Sequence, residues 1–295
     1  MTRINIQFTL FSAFYSPLIA TMAGGFLREE GLEPEWSVSP PGVSALAALE
    51  DGSAHVVQSA LSQGFGPLER GETPATTHFA QVNEMDGFFL AAREPDPGFS
   101  WSRLEGAEAV LFGAGQPHAM FRYACHRAGI DHSRINAIHP GGAAAIDAAF
   151  REGRGAYVQQ QGPFPQQLEA DGIGHVVAEV GPVIGPCGFS SLAALPEWLE
   201  TDMAAAFVRA YRKTRRYLNE APAEEVAAAE KPYFPAIDEA VLARCIRTYQ
   251  GLGCWTPHIE ITREAYEATL DIYAYNGLVT KRHPYGAVCS QPPTG

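Results

Sequence analysis

The sequence predicts an α/β protein built as two parallel- or mixed-sheet lobes, joined by a hinge and separated by a cleft. Three observations lead there. The chain opens with strand-like and helix-like stretches in alternation. A similar alternation begins again beyond a break at Glu94-Pro-Asp-Pro-Gly98. After an apolar extended run at 189–195, the composition turns helical. Alternating β and α units build parallel sheets with helices on their faces, so two such series imply two lobes.

The first series begins with Ile4, Ile6, Phe8 and Leu10, the period of a half-buried strand. Ser16 and Pro17 form an N-cap and first-turn pair, and Gly31 supplies a left-handed stop for the helix between. A second strand covers 33–38 and ends in Pro40-Pro41-Gly42; Ser44 caps a helix through Glu50. His55–Ser59 is a third strand, 64–71 a helix and turn, 76–82 a strand, and 87–93 an apolar extended run.

The second series places strands at 109–112, 134–139, 156–160 and 175–180. Helices are expected at 117–128, over "GGAAAIDAAFREGRG" and at 163–170. Amphipathic helices follow at 197–219, 223–229, 237–252 and 263–276. The basic turn at Arg212, Lys213, Arg215 and Arg216 suits a helix C-terminus and reads as a solvated face. Two crossings, near 87–88 and 188–189, divide the chain into one lobe of residues 1–87 plus 189–295 and another of residues 88–188.

The 295 residues are 46% hydrophobic and carry a formal net charge of -12. That balance excludes a diffuse phosphate-binding surface, so no nucleic-acid partner is expected. No run of about 18 apolar residues predicts a membrane span. The five cysteines are widely spaced without a CxxC pair, so no structural zinc site or disulfide framework is expected. No metal and no cofactor are anticipated.

Open α/β sheets keep their ligands at the carboxyl ends of their strands, and the candidate residues are read from those positions. Phe11, Ser12, Phe14 and Tyr15 follow the first strand; aromatics there can stack on a planar ligand, and the Ser can hydrogen-bond it. Gln58, Ser59 and Gln63 follow the third, where a buried amide needs a partner. Gly113-Ala-Gly-Gln-Pro-His118 joins a strand to a helix N-terminus, where free N–H groups at Gly115, Gln116 and His118 suit an anion. It lacks the third glycine of a dinucleotide fingerprint. Gln159 and Gln161 share one side of their strand, opposite Gln160. Cys187 is a candidate nucleophile only if a base such as His118 or His139 reaches it. Glu84 and Asp86 form a weaker acid/base pair.

The opening "FYSPLIATMAGGFLREEGLEPE", the step "ALAALEDGSAHVVQSA", the entry "WSRLEGAEAVLFGAGQPH" and the later "AIDAAFREGRGAYVQQQGP" together resemble the NMT1/THI5-like group of binding proteins. That group serves sulfonates, nitrate, taurine and pyrimidine precursors. The resemblance covers roughly residues 3 to 280 and implies a periplasmic-binding-protein type II-like fold. It also implies a small planar or anionic organic ligand, and an ABC transporter permease as partner.

Two features depart from the pattern. His55 stands where the group carries Asp, and the related pyrimidine synthases have a Cys-rich run where this chain reads "GPCGFSS", with Cys187 alone retained. Their reactive His corresponds to Gln63 or Ser62. The alternatives left open are an enzyme on the same scaffold (a decarboxylase, desulfinase or hydrolase) and a cytosolic ligand sensor. The location follows the same split: periplasmic or extracytoplasmic if a leader was removed, cytoplasmic if Met1 is the native start.

Overall fold

The computed structural model describes residues 1–40 and 42–294. Pro41, in the turn expected after the second strand, lies outside them. Within the described residues the strands are β1 (Thr2–Phe8), β2 (Leu32–Val38), β3 (Val56–Ser59), β4 (Thr77–Asn83) and β5 (Phe88–Ala92). They continue as β6 (Glu108–Val110), β7 (Asn136–Ile138), β8 (Tyr157–Gln161), β9 (His175–Glu179) and β10 (Ser190–Ala194). One sheet has the order β2-β1-β3-β10-β4, the other β7-β6-β8-β5-β9.

Both sheets are mixed, for one topological reason. In the first, β1 is parallel to β2 and β3, while β10 runs antiparallel to β3 and β4. The second repeats this, with β6 parallel to β7 and β8, and β5 antiparallel to β8 and β9. The parallel strands are joined through βαβ crossovers, which return the chain to the start of the sheet. A strand that has just come across from the other lobe enters at the cleft and runs the opposite way. Phe88 therefore pairs with Gln161, and Ser191 with Ser59, so the first residues of the crossing strands meet the last residues of the parallel ones.

Alternation sorts the strand residues between layers. Val56 and Leu192 face the main core, while Val57 and Ala193 face a smaller cluster with Ala45, Ala48 and Leu49. On the second sheet Ala91, Val110 and Val158 pack against Ile146, Phe150 and Leu168.

Some helices differ from expectation. The first is two, Ser16–Ala23 and Phe26–Glu29, parted at Gly24-Gly25, where Gly25 has φ +78. Tyr15 rather than Ser16 occupies its N-cap, with Pro in the first turn. The helix expected from Ser44 is the single turn Ala47–Glu50. The basic turn of helix Asp202–Glu220 is not uniformly solvated. Arg215 is fully buried and donates to the carbonyls of Val82 and Thr256, as a buried guanidinium requires. Arg212 and Lys213 pair with Glu260 and Glu30.

The C-terminal helices touch both lobes. Helix Glu239–Leu252 packs on helix Phe164–Ala170, and helix Arg263–Tyr275 packs on helix Gly115–Arg127. From the former, the Tyr249 hydroxyl accepts from the Gly162 N–H at 2.8 Å and donates to the Gly87 carbonyl at 3.0 Å. Within the described residues, no helix is long and apolar enough to cross a membrane.

Candidate functional site

A cavity of about 200 Å3 lies between the lobes. Thr9, Leu10, Tyr15, Gln58, Ser59 and Gln63 come from the first lobe; Phe88, Gln116, Pro117 and Gln161 come from the second, and Phe189 from the return crossing. The strand directions dictate this set, because every member lies at or just beyond the cleft end of its strand. A second compartment of about 400 Å3 shares Ser62, Gln63 and Gln116 with the first and opens beside Gly115, His118 and Arg122.

Three side chains knit the two lobes at the inner cavity. Ser12 Oγ donates to Gln161 Oε1 at 3.1 Å, and Gln161 Nε2 donates to the Tyr15 hydroxyl at 3.4 Å. Burial pushes the Tyr15 phenol well above its usual range, outweighing the Gln161 hydrogen bond that lowers it. It is therefore neutral and keeps its proton to donate. Tyr15 is held by its neighbours: Phe14 packs on it and on Phe189 and Tyr249, and Trp255 Nε1 donates to the Phe14 carbonyl.

The amides divide by what already occupies them. Gln58 Oε1 accepts from Thr9 N–H at 3.1 Å, and its Nε2 donates to Ser190 Oγ at 2.9 Å. Gln58 thus forms wall and ties β1, β3 and β10 together, with its amide engaged by protein. Gln116 Nε2 donates to the Phe189 carbonyl at 2.7 Å, fixing helix Gly115–Arg127 to the return crossing. Gln63 is exposed and faces both compartments, while Ser59 is buried at the inner wall. Helices Ser62–Glu69 and Gly115–Arg127 both start here, and their positive ends bias the walls toward acceptor groups. Among the described residues, no acidic, lysine or arginine side chain lines the inner cavity.

Several of the candidate residues lie outside the inner cavity's lining. Phe11 does not line the cavity; its ring stacks on Trp36 at 4.5 Å and packs against Phe234, away from the cleft. Phe14 is fully buried core, supporting Tyr15 from behind. Ser12 acts through Gln161 rather than as a wall residue. Gln159 lies beneath the site, its Nε2 donating to the Pro117 carbonyl at 3.3 Å. Gly115 and His118 border the outer compartment only.

Cys187 is fully buried, and burial raises its thiol far above the ordinary range, with the Asp86 and Glu84 carboxylates adding to the effect. His118 and His139 donate from Nδ1 to the carbonyls of Phe112 and Leu111, and neither imidazole is among the groups that act on that thiol. Asp86 is buried at the first crossing with Oδ1 accepting from Phe88 N–H, and Glu84 faces His258. Neither acid reaches the cavity. Among the described residues no group of three or more His, Cys, Asp or Glu side chains could hold a metal ion.

Sequence reasoning missed Thr9, Leu10, Phe88, Pro117 and Phe189 as walls. The signal for the two phenylalanines was present. Each begins an apolar extended run at a crossing, and a crossing strand must start at the cleft.

Two mixed-sheet α/β lobes facing one another across such a cleft are the fold of periplasmic binding proteins. The chain superposes on the ligand-binding component of an ABC-type import system from Staphylococcus aureus with zinc bound, at a TM-score of 0.76 and 16% identity, covering 100% of this chain and 98% of that one. It also superposes on the alkanesulfonate-binding protein SsuA of Xanthomonas axonopodis pv. citri bound to MOPS, at a TM-score of 0.70 and 17% identity, covering 98% of each chain. In sequence it is 27% identical over 297 residues to YtlA of Bacillus subtilis (strain 168), whose name describes a candidate binding protein; the match spans 99% of this chain and 88% of that protein. No protein-family model matches the chain.

Proposed function

We propose that this protein is the solute-binding component of an ABC-type importer, closing its lobes on a small planar or anionic organic molecule and presenting it to a permease. One observation carries the reading: the cavity between the sheets is walled by uncharged hydrogen-bonding groups from both lobes, with Tyr15, Phe88 and Phe189 as its aromatic surfaces. Concave, largely apolar sites with a few fixed polar groups are how small ligands are held without covalent chemistry. The Tyr15 hydroxyl offers a donor, and Gln63 and Ser59 offer both donors and acceptors. Two helix N-termini favour carbonyl, carboxylate or sulfonate oxygens. Pyrimidines, aromatic acids and sulfonates share these features, and binding proteins of the same fold include sulfonate and nitrate binders.

The reading is tested by thermal denaturation against pyrimidine bases, aromatic carboxylates and alkanesulfonates, with chromatography of each stabilising compound after long incubation. A ligand at 100 times its Kd adds about 2.7 kcal/mol to the folded state, an upward shift of several degrees. A stabilising compound recovered unchanged is the expected result. A chemically altered compound would make the protein an enzyme, and no shift with any class would remove the binding function.

A further inference from the structure

The two compartments between the lobes differ in charge as well as size. Among the described residues, the inner one is lined by uncharged groups, the neutral Tyr15 phenol included. The outer one carries Arg122 and His118 and, among the described residues, no acidic residue in its lining. In a chain with 33 acidic and 21 basic residues, a cavity with a cation and no acid runs against the overall balance. Three other arginines of the same lobe are paired, Arg103 with Asp96, Arg134 with Glu105, and Arg151 with Asp147 and Asp171; among the described residues Arg93, Arg127 and Arg154 make no such pair, but none of them lines this compartment. Half-buried Arg122 has no carboxylate within salt-bridge distance among the described residues, so its counter-ion is left to come from outside.

We propose that the solute carries an anionic group on a tether, and that the outer compartment receives that group between Arg122, His118 and Gln63 while the inner cavity holds the planar part. The proposal rests on the inner cavity being the solute site and specifies what else that solute bears. Continuity is given by Ser62, Gln63 and Gln116, which belong to both compartments. A guanidinium presents a planar fork of donors matched to carboxylate, sulfonate or phosphate oxygens. His118 lies one helical turn before Arg122, and its Nδ1–H is committed to the Phe112 carbonyl at 3.0 Å, which leaves Nε2 as the atom able to gain a proton. Burial lowers that imidazole below its usual range, with Arg122 and His139 adding to the effect and the Phe112 carbonyl opposing it. An arriving anion offsets the Arg122 charge and favours the imidazolium. The rings of His132 and His139 flank His118 at 5.4 and 5.9 Å and would feel the same field.

The test uses nitrogen-detected NMR of the arginine and histidine side chains of the whole protein, titrated separately with inorganic phosphate, methanesulfonate and acetate. Uracil and benzoate serve as probes of the inner cavity. At least one anion should shift Arg122 and His118 saturably, with His118 moving toward the imidazolium. Its apparent Kd should weaken at least tenfold in Arg122→Gln and less in Arg122→Lys, which keeps the charge without the fork. Which of the three anions saturates identifies the oxygen-bearing group. If none moves these resonances, or Arg122→Gln responds as the unmodified protein does, the proposal is wrong, even where uracil or benzoate shifts Tyr15 and Gln161. If neither probe touches Tyr15 or Gln161, the inner-cavity reading fails on its own, and the phosphate, methanesulfonate and acetate titrations still decide the outer compartment.

Discussion

Ser12 and Gln161, 149 residues apart, are joined across the cleft by a buried 3.1 Å hydrogen bond from Ser12 Oγ to Gln161 Oε1. Ser12 Oγ also accepts from the Phe14 N–H at 3.3 Å, so one hydroxyl both caps the loop carrying Tyr15 and holds the second lobe. Ser12→Ala leaves a buried amide oxygen and a backbone N–H without this partner. A loss of about 1–2 kcal/mol in urea denaturation is expected, from the cap and the orphaned acceptor together.

Tyr249→Phe tests the second fastening between the lobes. The phenol joins Gly162 N–H to the Gly87 carbonyl from inside the core, and water cannot replace it at a fully buried position. The ring's packing survives the substitution while two backbone groups lose their partner. Equilibrium denaturation should show about 1–3 kcal/mol of destabilisation.

How the chain announces this arrangement can be followed residue by residue. The period-2 run Ile4, Ile6, Phe8 and the Gly- and Pro-marked ends made β1 and the neighbouring βα units legible, because local alternation survives into the folded sheet. Sheet order was not legible beyond the parallel start, since the insertion of β10 between β3 and β4 is a long-range pairing. At the site, position beyond a strand end singled out Tyr15, Ser59, Gln63 and Gln161. It could not tell Phe11 from Tyr15, because that depends on Trp36, a residue of the adjacent strand that captures the Phe11 ring. Nor could it show that the Gln58 amide is spent on Thr9 and Ser190, two partners remote in sequence.

Asp86 makes stability depend on pH. Burial at the crossing raises its carboxyl to about 7, despite the Phe88 N–H that pulls it down. The folded chain therefore retains a proton that the unfolded chain releases near pH 4. The associated stability is complete below about pH 4 and is lost as pH rises through about 7, on the order of 4 kcal/mol in all. Buried Glu230 acts in the same direction. Buried His78, lowered by burial to about 4, acts oppositely and loses stability as pH falls from about 6.5. Asp86→Asn removes the first contribution alone. Its stability relative to the unmodified protein should rise steadily from pH 5 to 7 and then level off; parallel pH profiles would contradict the assignment.

The five cysteines are all buried free thiols, and burial raises the Cys187 thiol far above its ordinary range. A disulfide-exchange reagent should label none of them within minutes in the folded protein and all of them in urea. Cys187→Ala should leave ligand affinity within about twofold, since a small buried side chain away from the cavity lining is replaced.

Solute held between the lobes would lie against the Tyr15–Gln161 pair that joins them. That placement is tested most directly by calorimetric titration of the best stabilising compound into the unmodified protein and into Gln161→Leu, each checked for folding by circular dichroism. A single site per chain is expected, with an affinity at least tenfold weaker in Gln161→Leu, about 1.4 kcal/mol. Equal affinity in the two folded proteins would contradict it.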